Sequence, residues 1–135
     1  MEMTRVNYAS GAPNEERFGY SRMVKVGNYV MIGGTTSVQP DGSVIGDDLY
    51  SQCIYIFEKQ IKLLEQAGAT KGDVICVRGF APATVTDTSG WDKAYSEMFK
   101  EVKPCSMLYG INKLNRPTQF VEIEMEAIIG CAIEK

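Results

Sequence analysis

The segment PCSMLYGINKLNRPTQFVEIEMEA, residues 104–127, decides the fold that we predict for this chain. It contains two apolar runs, residues 105–111 and 120–129, on either side of the turn-rich linker KLNRPTQ. Apolar and polar residues alternate in the second run, which is typical of a β-strand because successive side chains take opposite faces. One face carries Val121, Ile123, Met125 and Ala127, and the other carries Glu122, Glu124 and Glu126. Carboxylates about 7 Å apart on one face are costly in a closed core, so we expect a wet face or a polar cleft there.

The composition indicates a globular domain and excludes several kinds of active site. The chain has 135 residues, 44% of them hydrophobic and 23% charged, and we predict one domain over residues 1–135. The net charge of −3 argues against a nucleic-acid partner, since such partners usually select a basic patch. The chain has no histidine, so catalytic triads and metal sites that require imidazole are excluded. Proton transfer must use Glu, Asp, Tyr, Cys, Lys or water.

The four cysteines do not suggest a metal or redox motif. Cys53, Cys76, Cys105 and Cys131 are far apart and form no CxxC pair, so we predict reduced thiols in the core. Cys105 is the one that adjoins the polar cleft expected at the carboxylate face. The sequence shows no signal peptide and no apolar run of about 20 residues, so we expect a cytoplasmic protein with no membrane partner.

The rest of the chain predicts a mixed sheet with two helices. Strands are expected at residues 5–8, 21–26, 29–33 and 73–80, and helices at about 48–67 and 91–101, while the segment 9–19 is expected to be a loop. The apolar stripe of the first helix is formed by Leu49, Cys53, Phe57, Ile61 and Leu64. The order β-ββ-α-β-α-β-β indicates a two-layer α+β domain, with about six strands and two helices on one face. The other face is expected to be buried against further subunits.

Two features of the predicted strands each have two interpretations. Arg78 shares a predicted strand face with Val74, Cys76 and Phe80. It either pairs with the glutamates of the last strand or contacts a substrate carboxylate. The pair Gly33-Gly34 matches no phosphate-loop pattern. It either permits close packing of the backbone or lets a ligand approach.

Five segments of the chain resemble a known family. They are GYSRMVKVGNYVMIGG, LLEQAGATKGDV, TSGWDKAYSEMF, KPCSMLYGINKL and FVEIEMEA. They are similar to segments of the Rid (reactive intermediate deaminase) proteins, also called the YjgF or L-PSP endoribonuclease family. The resemblance implies a chorismate-mutase-like (YjgF-type) fold and a homotrimer with clefts between its subunits. It further implies hydrolysis of reactive enamines and imines to keto acids and ammonia, without a metal or organic cofactor.

The resemblance also assigns roles to individual positions. Tyr20 matches the cleft tyrosine of the family, and Glu122 matches the glutamate that is thought to position water and assist proton transfer. These two are the predicted catalytic residues. Gly33 lies where deaminating members have a serine, and Asp92 lies roughly where they have an asparagine.

One departure from the family pattern concerns substrate binding. Deaminating members have Pro, a small residue and then an arginine that clamps the substrate carboxylate, whereas this chain has Pro104-Cys105-Ser106. The PCSMLYGI run resembles Rid subgroups that lack the arginine. The predicted substrate-binding residues are Cys105, Ser106, Gly33, Asp92 and Arg78.

Three functions remain open from the sequence. In the first, Glu122 acts as general acid or base on a small imine or enamine, with a pKa raised by partial burial and by neighbouring carboxylates. In the second, the trimer binds a small metabolite without turnover or has a regulatory role, which the missing arginine favours. The third is an endoribonuclease, which the family's older name suggests and which an acidic chain without histidine does not favour.

Overall fold

A computed structural model describes residues 3–133, which form six strands and three α-helices. The strands are β1 (Arg5–Tyr8), β2 (Met23–Val26), β3 (Tyr29–Thr35), β4 (Val74–Pro82), β5 (Cys105–Ile111) and β6 (Glu122–Ile128). The helices are α1 (Pro13–Phe18), α2 (Leu49–Gln66) and α3 (Ser89–Phe99). Every predicted strand and helix is present within a few residues of its expected bounds.

Helix α1 is an addition to the prediction, because segment 9–19 was expected to be a loop. Pro13 stands in its first turn, where the missing N–H costs nothing, and Gly19 ends it in the left-handed conformation with φ of 80°. Six residues with one buried side chain, Glu15, carry too little apolar periodicity to be recognised as a helix.

All six strands form one mixed sheet in the order β1-β2-β3-β6-β4-β5. The β4–β5 pair is parallel and is connected through α3, while all other neighbouring pairs are antiparallel. Helices α2 and α3 pack together through the rings of Phe57, Trp91 and Phe99, with centroids 5.8 Å apart for Phe57–Trp91 and 5.1 Å for Phe57–Phe99. The predicted two-layer α+β architecture is therefore confirmed.

Strand β6 lies in the interior of the sheet, between β3 and β4. Its alternation is as predicted: Val121, Ile123, Met125 and Ala127 are fully buried, and the three glutamates are partly buried on the opposite face. A central strand that is apolar on the helix side and acidic on the other determines which face of the sheet can hold polar chemistry.

Two register shifts change which residues share a face. The first lies between Val74 and Cys76, which pair with Ala127 and Glu126. Val74 is therefore buried in the core, and its predicted grouping with Cys76 and Arg78 is wrong, because the bulge at Ile75 reverses the alternation. The second shift lies between Ile32 and Thr35 and contains the Gly33-Gly34 pair.

Helix α2 buries two polar side chains that its apolar stripe did not predict. Gln52 and Gln60 are fully buried, whereas Ile61 is only partly buried. The Gln52 amide donates to the carbonyls of Gly46 (3.1 Å) and Thr118 (2.8 Å), and it accepts from the Phe120 N–H (2.8 Å). Gln52 thus attaches the linker before β6 to the helix layer.

Contrary to the prediction, the four thiols are not all in the core. Cys53 is buried and Cys76 is partly buried, but Cys105 and Cys131 are exposed. Cys131 lies beyond the end of β6, where its Sγ donates to the Asp73 carbonyl, so the prediction of a core thiol is wrong there. No helix within residues 3–133 combines the length and apolar character needed to cross a membrane.

Candidate functional site

A cavity among the described residues lies where β6 begins. Its volume is about 500 Å³, within the usual range for small-molecule sites. The segment before β2 contributes Tyr20 and Arg22, the β3 bulge contributes Gly34, helix α2 contributes Tyr55 and Lys59, and the linker contributes Arg116 and Gln119. Glu122, the first residue of β6, lines the same cavity.

Glu122 differs from the other glutamates of its strand face in the residue that lies opposite it on β4. Its partner on β4 is Phe80, whereas Glu124 lies opposite Arg78. Within residues 3–133 the Glu122 carboxyl makes no hydrogen bond or ion pair. Burial raises the pKa of Glu122, the charge of Arg22 opposes that change, and the charge of Glu124 adds to it. The result is a carboxyl that holds its proton at higher pH than an ordinary glutamate.

Gly34 leaves the space that the Glu122 carboxyl occupies. A Cβ at position 34 would overlap the carboxyl oxygen and stand 2.8 Å from its Cδ, closer than real Cβ contacts. A Cβ at Gly33 would instead find its nearest neighbour, the Arg22 carbonyl oxygen, at 3.6 Å, which is an ordinary contact. Of the two interpretations of the glycine pair, close packing is correct at Gly34, and what approaches is the Glu122 side chain.

Arg22 is held between a buried carboxylate and the β3 bulge. Its Nε lies 3.4 Å from a Glu15 carboxylate oxygen, and its guanidinium also donates to the Gly34 carbonyl. Glu15 accepts hydrogen bonds from the Ser10 backbone N–H (2.8 Å) and the Ser10 hydroxyl. Burial raises the pKa of Glu15, but these hydrogen bonds and the Arg22 charge outweigh it, so the pKa is lowered. Arg22 is therefore a fixed cation near Glu122.

Tyr20 lies at the exposed side of the cavity. Its side chain is 45% exposed, and the Arg22 guanidinium carbon lies 5.5 Å from its ring centroid. The two predicted catalytic residues, Tyr20 and Glu122, thus line one cavity although they are distant in sequence. Their roles remain predictions.

Arg78 belongs to a separate ionic cluster farther along the sheet. Its Nε donates to a Glu124 carboxylate oxygen at 2.6 Å, and its guanidinium also pairs with Glu126, which accepts from the Tyr29 hydroxyl. The Tyr29 hydrogen bond and then the Arg78 contact lower the pKa of Glu126. Arg78 does not line the cavity, so the structure favours the interpretation that it pairs with glutamates over contact with a substrate.

The other predicted substrate-binding residues lie outside the cavity of their own chain. Cys105 and Ser106 begin β5, at the edge of the sheet, with β4 between them and β6. Asp92 is exposed in the first turn of α3, and Gly33 is adjacent to the cavity without lining it. In a single chain these positions are not brought together with Glu122.

Sequence reasoning missed Arg22, Glu15 and Lys59. Arg22 had a usable signal, because it follows Tyr20 by two residues and so takes the same side of an extended segment. No sequence signal indicates the role of Glu15, because its burial depends on how α1 packs. Lys59 lies one turn after Tyr55 on α2, and only the packed helix shows that both face the cavity. No cluster of Cys, Asp or Glu side chains within residues 3–133 is arranged to hold a metal ion.

Comparison with known proteins places the chain among sequences of one family. The family model of Endoribonuclease L-PSP matches residues 12–129. A RutC family protein of Pyrococcus abyssi is 33% identical over 110 residues, which cover 81% of this chain and 84% of that protein.

Solved structures agree with this assignment. A member of the YjgF/YER057c/UK114 family from Mycobacterium tuberculosis superposes with a TM-score of 0.79 at 31% identity, covering 93% of this chain and 100% of the other. A Pseudomonas aeruginosa protein of unknown function reaches a TM-score of 0.83 at 21% identity, over 99% of each chain, and supports the fold alone.

Proposed function

The chain belongs to the Endoribonuclease L-PSP family, and from that premise we propose that it hydrolyses a small imine or enamine in the Glu122 cavity. The observation that carries this proposal is the state of Glu122. Its carboxyl is partly buried, unpaired within residues 3–133, and raised in pKa by burial. Because a raised pKa lies closer to neutral pH, such a carboxyl can act both as a proton donor and as a proton acceptor.

The proposed reaction uses Glu122 in both directions. The protonated carboxyl donates its proton to the terminal carbon of an enamine, which leaves an iminium ion and a carboxylate. The carboxylate then takes a proton from a water molecule as that water attacks the iminium carbon. The reprotonated carboxyl gives that proton to the amino nitrogen of the carbinolamine. As the C–N bond breaks and ammonia leaves, the carboxylate takes the hydroxyl proton, so the products are a keto compound and ammonia and Glu122 is protonated again. With an imine substrate the carboxyl protonates the imine nitrogen, and the iminium ion enters at the second step.

Two neighbours support Glu122 in this proposal. Tyr20, at the exposed side of the cavity, donates a hydrogen bond from its hydroxyl to the substrate or water. Arg22 lowers the pKa of Glu122 and so limits the effect of burial. Because Arg22 is bound to Glu15 and Gly34, its position does not depend on the ligand.

We also propose that the chain works as a homotrimer, as the sequence resemblance implies. Strand β5 is an edge of the sheet with several exposed residues, and Tyr109 on it is 47% exposed. Unpaired edge strands are commonly covered by another chain. In such an assembly Cys105 and Ser106 of one subunit would approach the cavity of another. Sedimentation velocity of the full chain tests this, and a monomer at micromolar concentration would contradict it.

The activity test compares two glutamates of the same strand. An imine or enamine is generated in place by an amino-acid oxidase or a serine dehydratase, and keto-acid formation is followed with and without the protein. Glu122→Gln is expected to lower the acceleration about 10²–10⁴-fold, the usual contribution of a general acid–base group. Glu124→Gln is the matched control, because Glu124 pairs with Arg78 outside the cavity and its charge is only the smallest of the three influences on the pKa of Glu122. Its activity should stay much closer to wild type than that of Glu122→Gln.

Two results would contradict the hydrolase. Wild-type protein that leaves the decay of the imine unchanged is one, and Glu122→Gln with wild-type activity is the other. Binding without turnover is the second candidate function, because Arg22 is already bound to Glu15 and is not available as a bidentate carboxylate clamp. It predicts saturable binding of a keto acid by a protein that accelerates no decay. The family description also suggests RNA cleavage; cleavage that survived in Glu122→Gln would point to contamination or to another site, and not to the Glu122 cavity.

A further inference from the structure

Three cationic side chains line the Glu122 cavity, and they differ in what balances their charge. Arg22, Lys59 and Arg116 all contribute to its wall. The Arg22 charge is compensated by buried Glu15 at 3.4 Å. Arg116 is exposed on the linker before β6, where solvent screens it. Lys59 differs from both, since it is partly buried on α2 and has no carboxylate partner within hydrogen-bond or ion-pair distance among residues 3–133.

The environment of Lys59 is unfavourable to an unpaired ammonium group. Burial lowers the pKa of Lys59, repulsion from Arg22 lowers it further, and only the charge of Glu15 acts in the opposite direction. Glu15 is itself bound to Arg22 and Ser10, so little of its charge is left for Lys59. An ammonium that is partly desolvated without a counterion gains free energy when an anion binds beside it.

The position of Lys59 relative to the acid–base group also suits an anionic ligand. Lys59, on α2, and Glu122, at the start of β6, line the same cavity, and Arg22, which also lines it, acts electrostatically on both. The cavity therefore contains a candidate proton-transfer group and a cationic group. A ligand with a carboxylate next to its reactive carbon offers one group to each.

We propose that Lys59 is the carboxylate-binding residue of this cavity, in the role for which this chain has Pro104-Cys105-Ser106 and no arginine. The inference rests on the proposed function and adds to it the residue that binds the substrate carboxylate. In this arrangement the ligand's carboxylate is bound by helix α2 of the same chain that supplies Glu122. Arg116 adds positive charge at the mouth, where it attracts anions without fixing their orientation.

A neighbouring lysine supplies a matched control. Lys62, three residues after Lys59 on α2, is exposed and lines only an adjoining recess of about 280 Å³. The experiment measures binding of 2-oxobutanoate and of its neutral amide by NMR titration to the full-length protein. The variants are Lys59→Met, Lys59→Arg and Lys62→Met, and thermal melts verify that each is folded.

The expected results distinguish loss of the Lys59 charge from a change in the shape of the cavity. Lys59→Met should weaken binding of 2-oxobutanoate about tenfold or more, since a charge-assisted contact is lost. Its affinity for the amide should not change, Lys59→Arg should retain most of the carboxylate affinity, and Lys62→Met should match wild type. Unchanged carboxylate binding in Lys59→Met, or an equal loss for both probes, would overturn this subsite while hydrolysis by wild type and its dependence on Glu122 still stood. Wild-type protein that binds neither probe would overturn the subsite and the proposed function together.

Discussion

Replacing Gly34 with alanine should move the Glu122 carboxyl and leave the fold intact. The new Cβ would overlap a carboxyl oxygen and lie 2.8 Å from Cδ, so the glutamate side chain must rotate. The backbone at Gly34 is not in the left-handed region, so alanine introduces no backbone strain. Removing a glycine from a strand contributes roughly 0.5–1 kcal/mol of stability, and an off-rotamer glutamate costs about 0.5–1.5 kcal/mol. The two nearly cancel, and the free energy of unfolding should change by less than about 1 kcal/mol.

Function should respond far more than stability. A shift of about 1 Å in a catalytic group can reduce a rate about 10²-fold, and the rotation required here is at least that large. The displaced carboxyl leaves its buried position, and because burial is the main cause of its raised pKa, that pKa should fall towards the ordinary glutamate value. We therefore expect hydrolysis of an enzymatically generated imine to drop about 10²-fold, with a matching fall in the pKa measured by carboxyl ¹³C NMR.

Gly33→Ala is the control, because its Cβ would make only ordinary contacts, with the Arg22 carbonyl oxygen at 3.6 Å and the Ser21 carbonyl oxygen at 4.0 Å. This variant should keep the wild-type rate and Glu122 titration and be slightly more stable. A Gly34→Ala protein with wild-type rate and unchanged Glu122 titration would refute the reasoning. Equal losses in both alanine variants would also refute it, since flexibility of the glycine pair and not the single collision would then be responsible.

Three further predictions concern stability. Glu122→Gln should make the protein more stable than wild type at neutral pH, with the difference vanishing below the pKa of an unfolded glutamate, as followed by urea unfolding against pH. Gln52→Leu should destabilise by about 2–4 kcal/mol in urea unfolding, because the three backbone groups that bond to the buried Gln52 side chain lose their partners. Arg78→Met should destabilise by about 1–3 kcal/mol at pH 7 and progressively less as acid protonates Glu126, measured by thermal melts across pH.

The signs of the two pH effects follow from the shifts. Glu122 has a raised folded pKa, so the folded protein holds the extra proton between the unfolded and folded values and loses stability as pH rises through that window. Glu126 has a lowered folded pKa, so its contribution is present above the unfolded value and is lost as pH falls through the folded one. A pH-independent difference between either variant and wild type would contradict its assignment. The control for Gln52→Leu is Gln66→Leu at an exposed position of α2, which should leave the free energy of unfolding nearly unchanged.

The sequence determined the architecture because the architecture depends on local periodicity. Alternation in residues 120–129 identified the strand at the centre of the sheet and both of its faces. For Arg78 the sequence left two interpretations open, pairing with the glutamates of the last strand or contact with a substrate carboxylate, and the structure pairs it with Glu124 and Glu126. The prediction of the strand and its faces uses only the twofold repeat of a strand, which holds wherever the register is unbroken.

The tertiary structure decided which glutamate is isolated and what surrounds it. Three glutamates alternate identically in sequence, but pairing with β4 places Phe80 opposite Glu122 and Arg78 opposite Glu124. The bulge at Gly33-Gly34 then makes room for the Glu122 carboxyl, and α1 supplies the buried Glu15 that holds Arg22. Register, bulges and helix docking arise from contacts between segments far apart in the chain, so no local pattern encodes them. The segment quoted first therefore specified a carboxylate face, and the packing around it made one of its carboxyl groups chemically different from the others.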